Sequence, residues 1–409
     1  MTFIKHPASV CSHKGLLYID RANKKIERTM TRENAKFVQS KIFKDGVSSG
    51  FWPSARLKKA NDFMEKMDTL SMWEVDYVEH PIMWSEMTNE QILDAYLFLC
   101  DVLEYLNGFG YTMSSHLWNV VLSQGKFKLI DVGDFYPYDR DMQAHTLKLC
   151  LEKKEHEVES YVPGQWLNNP EAVIRAIETH THINQVREAL QKSGTKQNDE
   201  HTTWDRYVPE FLKFEDVLTS AKNEKDAPVY EWVKECKPET LTDLGCNTGK
   251  HSLLASKLGI KVVGLDYAAN TVDEATRNAA RMGLSCSFAH VNLLSPIRVG
   301  SYDPAEKRLW SEMVIAPALV HHLFMACNDI NLAVDTIVKY SSKYVAIETI
   351  PHTDKHINKD IKNWFDEGDI VKRLEEHGYS SIHVRPSFPT GRKWIFAESP
   401  VTRDLFNKS

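Results

Sequence analysis

The sequence predicts an α/β protein. It has a mostly parallel sheet with helices on both faces, an antiparallel terminal hairpin, and an N-terminal α+β domain in front. Three observations predict it. Strand and helix patterns alternate from about Leu241 onward, the signature of a parallel sheet. The first of these strands runs into Leu241-Thr-Asp-Leu-Gly-Cys-Asn-Thr-Gly-Lys250, a Gly-containing turn that opens a helix, and the next apolar run ends in Asp266. The last two strands, Ser381-Ile-His-Val-Arg and Lys393-Trp-Ile-Phe-Ala, are joined by Pro386-Ser-Phe-Pro-Thr-Gly391. That connection has no room for a crossover helix, so the two must run antiparallel.

A chain of 409 residues suits two domains. The best linker is the polar stretch Lys192-Ser-Gly-Thr-Lys-Gln-Asn-Asp-Glu200, which divides the chain into 1–195 and 196–409. A net charge of −6 argues against broad nucleic-acid binding, which needs excess Lys and Arg. A local basic groove stays open. The seven cysteines are dispersed without a CxxC pair, as in reduced thiols and unlike a disulfide frame or zinc site. The first residues lack the apolar block of a signal peptide, and no apolar run approaches the ~18 residues of a membrane span. A cytoplasmic protein without membrane association is expected.

In chain order, Gly15–Arg21 and Lys25–Met30 read as two strands turning at Ala22-Asn23-Lys24. A helical or irregular segment follows toward Gly46 and Gly50. Thr88-Asn-Glu-Gln91 is a capping box, and Ile92, Ala95, Tyr96, Leu99, Val102, Leu103 and Leu106 share one helical face that ends at Gly108 and Gly110. Val120-Val-Leu and Phe127-Lys-Leu-Ile flank Ser123-Gln-Gly-Lys126 as a hairpin, and Glu171–Lys192 reads as one helix. In the second half, strands are expected at Leu241–Leu244, Lys261–Asp266, Ser285–Val291, Glu312–Leu319 and Lys343–Ile350. Helices are expected from Lys250, across Thr271–Arg281, across Ile330–Ser341 and over Gly368–His377.

The turn holds Gly245 and Gly249, which permit sharp backbone and close approach to a ligand. Asp266 can accept from ribose hydroxyls, and it follows the turn at close to the roughly 20 residues usual for a ribose acid. Asn247 replaces the middle glycine of a dinucleotide fingerprint, and GxxxxGK[ST] is absent. What remains is a nucleoside with a short charged arm.

From Tyr207 to Pro400 the chain resembles the class I S-adenosylmethionine-dependent methyltransferases, with their Rossmann-like seven-stranded sheet. The resemblance implies S-adenosyl-L-methionine as cofactor. Asp243, Gly245, Cys246, Asn247 and Gly249 would lie around its methionine part, Asp266 and Tyr267 around its ribose, and Asn292 and Leu293 beside its adenine. Ala316 at the fourth strand's end and Tyr207 ahead of the first strand complete the set. Tyr207 and Trp204 suit either an aromatic lid or a core anchor.

A narrower resemblance rests on Glu79-His-Pro-Ile-Met-Trp84, Asp94-Ala95, Trp118-Asn119, Leu129-Ile-Asp-Val-Gly-Asp-Phe135, Leu294-Ser-Pro-Ile-Arg and Ala318–Leu323. These look like a bacterial methyltransferase group with nodulation-protein-like members.

His321, His322 and Glu348 follow or end the fourth and fifth strands, where a parallel sheet lines its ligand crevice. They are the candidate catalytic groups, against a packed or solvated alternative. His352, Asp354 and His356 have no spacing that fixes a third metal ligand, so no metal is expected. His116-Leu-Trp-Asn119 with Asp131-Val-Gly133 is superficially kinase-like, but Ser114 stands where the catalytic Asp belongs. A degenerate kinase-like scaffold for substrate recognition and a plain hairpin both remain open.

The expected activity is O- or N-methylation of a small molecule or glycan. The rivals are a cofactor-binding scaffold without turnover and a bifunctional protein with an N-terminal phosphotransferase.

Overall fold

Thr240–Leu244 is buried at every position, as a central parallel strand covered on both faces must be. A computed structural model of the chain describes residues 17–20, 24–58, 70–115, 119–131, 135–151, 164–179, 182–196, 219, 222–296, 303–354, 357, 364–389 and 391–400. The chain divides into two compact units near residue 198.

In the second unit, strands β9 (Thr240–Leu244), β10 (Lys261–Asp266), β11 (Ser287–His290), β12 (Ser311–Ala316), β13 (Ser341–Thr349), β14 (Ser381–Pro386) and β15 (Lys393–Glu398) form one sheet. Its order is β11-β10-β9-β12-β13-β15-β14. The first five strands are parallel, and β15 is antiparallel to both β13 and β14. After β9 the chain builds to one side through β10 and β11, then returns to the other side with β12. That reversal is a topological switch point, and ligands bind beyond the strands' carboxyl ends there. Apolar side chains of the strands and of helices Lys250–Lys257 and Ala269–Met282 make one continuous core, including Leu241, Val262, Phe288, Met313, Leu253 and Val272.

The fourth strand ends at Ala316, short of the expected Leu319. Ala318 adopts a left-handed backbone (φ 48°), which stops the ladder. Val320–Cys327 then forms a helix absent from the sequence expectation, and His321 and His322 fall in its first turn. The third strand is likewise shorter than Ser285–Val291.

The first unit begins with an antiparallel sheet of order β1-β2-β4-β3: β1 (Leu17–Asp20), β2 (Lys25–Thr31), β3 (Ala55–Leu57) and β4 (Leu70–Asp76). Helices Arg32–Gln39 and Lys41–Ser48 follow β2. Helix Asn89–Asn107 has the anticipated capping box: Gln91 N donates to Thr88 Oγ1 at 3.2 Å and Thr88 N to Gln91 Oε1 at 3.1 Å. Its expected apolar face is buried, and Gly108 caps it. Strand β5 (Tyr111–Met113) pairs with β8 (Phe135–Pro137), and β6 (Val120–Ser123) with β7 (Lys126–Leu129). Gln124 and Gly125 both have positive φ (51° and 70°), the twist a two-residue hairpin turn needs.

Glu171–Lys192 is two helices, Pro170–Thr179 and Ile183–Ser193. Ile177 and Ile183 are both buried. Their spacing skips the i+3/i+4 position, where His180 and Thr181 stand, so one continuous helix would interrupt its apolar stripe.

Candidate active site at the carboxyl edge of the parallel sheet

The turn after β9 satisfies its own amides. Gly245 N and Cys246 N both donate to Leu265 O (2.8 and 3.1 Å), and Gly249 N to Cys246 O (2.9 Å). Asn247 N donates to Asp266 Oδ2 (2.8 Å) and Thr248 N to Asn247 Oδ1 (2.7 Å). A phosphate cradle needs such amides pointing at the ligand; here they are committed within the protein. This supplies the physical reason why the turn does not read as a pyrophosphate site.

The two glycines answer chiefly to packing. A Cβ on Gly245 (φ 66°) would meet Leu319 Cδ1 at 3.0 Å. One on Gly249 (φ 87°) would lie 2.8 Å from Phe288 Cζ and 3.2 Å from Ala275 Cβ. At Gly249 the close approach of β11 requires glycine in addition to any ligand approach. Gly249→Ala is expected to destabilise the protein by about 3 kcal/mol, combining left-handed strain with overpacking against a buried ring. Urea denaturation checks it; a loss below about 1 kcal/mol would mean that Phe288 yields freely.

Asp266 ends β10 with its carboxylate fixed. Besides Asn247 N on Oδ2, Ala268 N donates to Oδ1 at 2.9 Å. Burial raises its pKa, opposed by the amides of Ala268 and Asn247 and by Thr271. A carboxylate has about four lone-pair sites, so capacity remains for ligand hydroxyls. Tyr267, next in the chain, is 45% exposed. Asn292 Oδ1 accepts from Leu294 N (3.1 Å) and Ser295 N (3.3 Å), which leaves its amide nitrogen as the outward donor. Leu293 is half-buried beside it.

Asp243 is wholly buried on β9. Ser252 Oγ donates to its Oδ2 at 2.7 Å, while Oδ1 has no hydrogen-bond partner. Burial pushes its pKa up to about 7, against the pull of the Ser252 bonds. The Cys246 side chain is buried, and burial raises its thiol pKa well above the usual range; only its backbone belongs to the turn surface. Ala316 is buried at the end of β12, beside Ile315, which pairs with Asp243.

On the other side of the switch point, Glu348 lies on β13 with no exposed surface. Ser387 Oγ donates to its Oε1 at 2.8 Å, and Oε2 is buried without a partner. Burial raises its pKa, opposed by Lys225, Ser387 and Arg392. His321 is buried with Nδ1 unpartnered; burial, then His322 and Arg392, lower its pKa to about 2. Burial lowers that of His322 to about 4. The two rings lie 3.7 Å apart. His352 stacks on Trp364 with centroids 5.2 Å apart, and Asp354 accepts from Arg392 Nε at 2.9 Å.

Two features carried no sequence signal. Asp226, fully buried, accepts from Lys250 Nζ at 2.6 Å and lies 3.5 Å from His251 Nε2. Arg392 joins Asp354 from the terminal hairpin. Both pairs are long-range, so neither periodicity nor motif spacing marks them. Tyr207, Trp204, His116–Trp118, Val132, Gly133 and His356 lie outside the described residues. Asn119 and Asp131 stand at the base of the β6–β7 hairpin, where Ile130 N donates to Asn119 O at 2.7 Å. The Asp131 carboxylate is 2.6 Å from Arg28 of β2. Among the described residues no group of three or more His, Cys, Asp or Glu is arranged to hold a metal, and no helix is long and apolar enough to cross a membrane.

Residues 242–339 match the family model described as "Methyltransferase domain". This part of the chain is a methyltransferase domain. It is similar to nodulation protein NoeA of Rhizobium meliloti (strain 1021), 26% identical over 166 residues, covering 39% of this chain and 34% of NoeA. A 23S rRNA (uracil(1939)-C(5))-methyltransferase, RlmD of Shewanella sp. (strain ANA-3), is 29% identical over 136 residues, 29% of each chain. The chain thus spans about a third of the length of these relatives. Among solved structures, the magnesium protoporphyrin IX methyltransferase ChlM of Synechocystis PCC 6803 with bound SAM aligns at 17% identity and a TM-score of 0.35, over 49% of this chain and 92% of that one.

Proposed function

We propose that this chain transfers a methyl group from S-adenosylmethionine to an oxygen or nitrogen of a small molecule or glycan. The carrying observation is Asp266: a carboxylate fixed by two backbone amides at the switch point, with lone pairs to spare for a ribose. The residues present fit the cofactor. A sulfonium amino acid needs acids near its cationic arm and no phosphate cradle; Asp243 offers an orphaned buried oxygen, and the turn's amides are committed. Asn292 would give its amide N–H to adenine.

The bound cofactor would supply an electrophilic methyl on a cationic sulfur that leaves as a neutral thioether when an acceptor lone pair takes the methyl. The chain's own task is to orient the acceptor and receive its proton. Glu348 suits that task better than the histidines. Its proton affinity is raised by burial, and Oε2 has no partner. His321 and His322 are weak proton sinks, with pKa values lowered to about 2 and about 4, but as neutral rings they can fix an acceptor hydroxyl or amine. These groups favour turnover over a scaffold role.

The N-terminal unit is assigned substrate recognition or an accessory role. Its Asp131 is engaged by Arg28, which supports recognition over phosphotransfer. The acidic net charge of −6 supports a small acceptor over the RNA named for RlmD.

Calorimetry of the whole chain with S-adenosylhomocysteine is expected to show saturable binding at one site. Folded protein that does not bind rejects the proposal. Glu348→Gln should keep that affinity and lose transfer of labelled methyl to small-molecule cell extract by about tenfold to a thousandfold. Unchanged transfer would exclude Glu348 as proton acceptor.

A further inference from the structure

Arg392 is a buried guanidinium with most of its donors unspent. It is 9% exposed, and among the described residues its side chain makes one hydrogen bond, from Nε to Asp354 Oδ2 at 2.9 Å. An arginine side chain has five N–H donors in a rigid fork, so four hydrogens on the two terminal nitrogens remain uncommitted. These nitrogens are not buried orphans, so they are open to a ligand from the surface.

Its place in the fold says what it can bind. Lys393, the next residue, pairs with Thr349 at the carboxyl end of β13, and Trp394 pairs with Glu348. Ser387 at the other end of the same turn holds Glu348, and Ser387 N donates to Arg392 O at 2.9 Å. A Cβ on Gly391 would sit 3.2 Å from Pro351, so the turn is packed onto the segment after β13. The charge of Arg392 reaches both His321 and Glu348, lowering the proton affinity of each. Two buried polar atoms without partners, Glu348 Oε2 and His321 Nδ1, therefore share one edge with the Arg392 charge that acts on both.

We propose that Arg392 binds a carboxylate on the methyl acceptor, so that the substrate is an acidic small molecule held by a two-pronged guanidinium contact beside Glu348. Such parallel N–H···O pairs are the strong, orienting form of arginine recognition. Asp354 holds the fork at Nε and leaves its outer face for the ligand. The alternative source, the cofactor's own carboxylate, is disfavoured by position. β15 lies two strands beyond β12 and three beyond β9, about 10 and about 14 Å at ~4.8 Å per strand, whereas the cofactor turn follows β9. The assignment of this carboxylate to an acceptor rests on the methyltransferase reading.

The test uses the whole chain with sodium benzoate as probe and neutral benzamide as control, followed by tryptophan fluorescence and the Arg392 Nε–H NMR signal. Saturable benzoate binding is expected, with benzamide at least about tenfold weaker. Arg392→Lys should weaken benzoate about tenfold and Arg392→Gln abolish it, while both keep wild-type affinity for S-adenosylhomocysteine. Circular dichroism establishes folding; should Arg392→Gln not fold, Arg392→Lys, which keeps a cation beside Asp354, carries the test. Equal binding of benzoate and benzamide, no saturable benzoate effect, or undiminished binding in Arg392→Lys overturns the proposal. Loss of S-adenosylhomocysteine binding in the variants also overturns it, by placing the guanidinium on the cofactor. If wild-type protein binds benzoate but not S-adenosylhomocysteine, the methyltransferase reading fails and the carboxylate site stands.

Discussion

Asp266→Ala is expected to lower affinity for S-adenosylhomocysteine at least about a hundredfold, or about 2.7 kcal/mol, with the chain still folded. The magnitude follows from what the carboxylate does. Hydrogen bonds to a charged acceptor contribute about 1.5–3 kcal/mol each, and a ribose presents two hydroxyls. Part of the loss would come from the protein, because Asp266 also holds Asn247 N and Ala268 N. Two controls separate the effects. Asp266→Asn keeps a carbonyl for one amide and should lose only about tenfold. The 2′-deoxyribose analogue of S-adenosylhomocysteine should bind wild-type protein weakly, yet bind Asp266→Ala as well as the parent ligand does. That double-mutant cycle isolates the hydroxyl contact. An analogue penalty equally large in the variant would mean that Asp266 only shapes the turn.

Much of this site was legible because its marks are local. Asp266 ends an alternating apolar run, and the β15–β14 hairpin follows from a connection too short for a helix. Both are matters of neighbouring residues. The parallel sheet follows from the alternation, and its seven strands from the resemblance those residues carry. What stayed hidden was long-range or uncapped. Gly249 needs to be glycine because Phe288 arrives from another strand, which no reading of the turn alone reveals. Helix Val320–Cys327 has no side-chain cap at Leu319 and follows an apolar pattern, so the sequence extends the strand to Leu319 and gives no sign of the helix. His321 and His322 follow the fourth strand in the sequence, but their lowered proton affinity comes from tertiary burial, which favours Glu348 over them in the proposed proton-accepting role. Arg392 lay in a segment read only as a turn. Its partner Asp354 was weighed as a metal ligand and instead steadies a guanidinium.

Asp243→Asn should separate stability from binding. The folded protein holds the Asp243 proton with a pKa near about 7, against an ordinary value of 3.8, chiefly through burial. Below pH 4 the carboxyl is protonated whether folded or unfolded and costs nothing. Between about 4 and about 7 the folded state binds more protons than the unfolded state, so stability falls as pH rises. Above about pH 7 the buried anion carries its full cost, on the order of 4 kcal/mol. Asparagine cannot ionise and can still meet Ser252, whose hydroxyl either donates or accepts. The variant should therefore match wild type in urea denaturation at pH 4 and exceed it by up to about 4 kcal/mol at pH 8. Cofactor binding should move the other way. S-adenosylmethionine brings a sulfonium and an ammonium, and an ionised Asp243 beside them would be compensated. Wild-type affinity should rise from pH 6 to pH 8 relative to the variant, reaching a difference of about tenfold or more. The ligand's own amino group titrates near about 7.7–8.0, so the ratio of variant to wild type is the quantity to read. A variant no more stable at pH 8 would show that Asp243 is not a costly anion. A ratio independent of pH would remove Asp243 from the cofactor's surroundings and leave it a buried partner of Ser252.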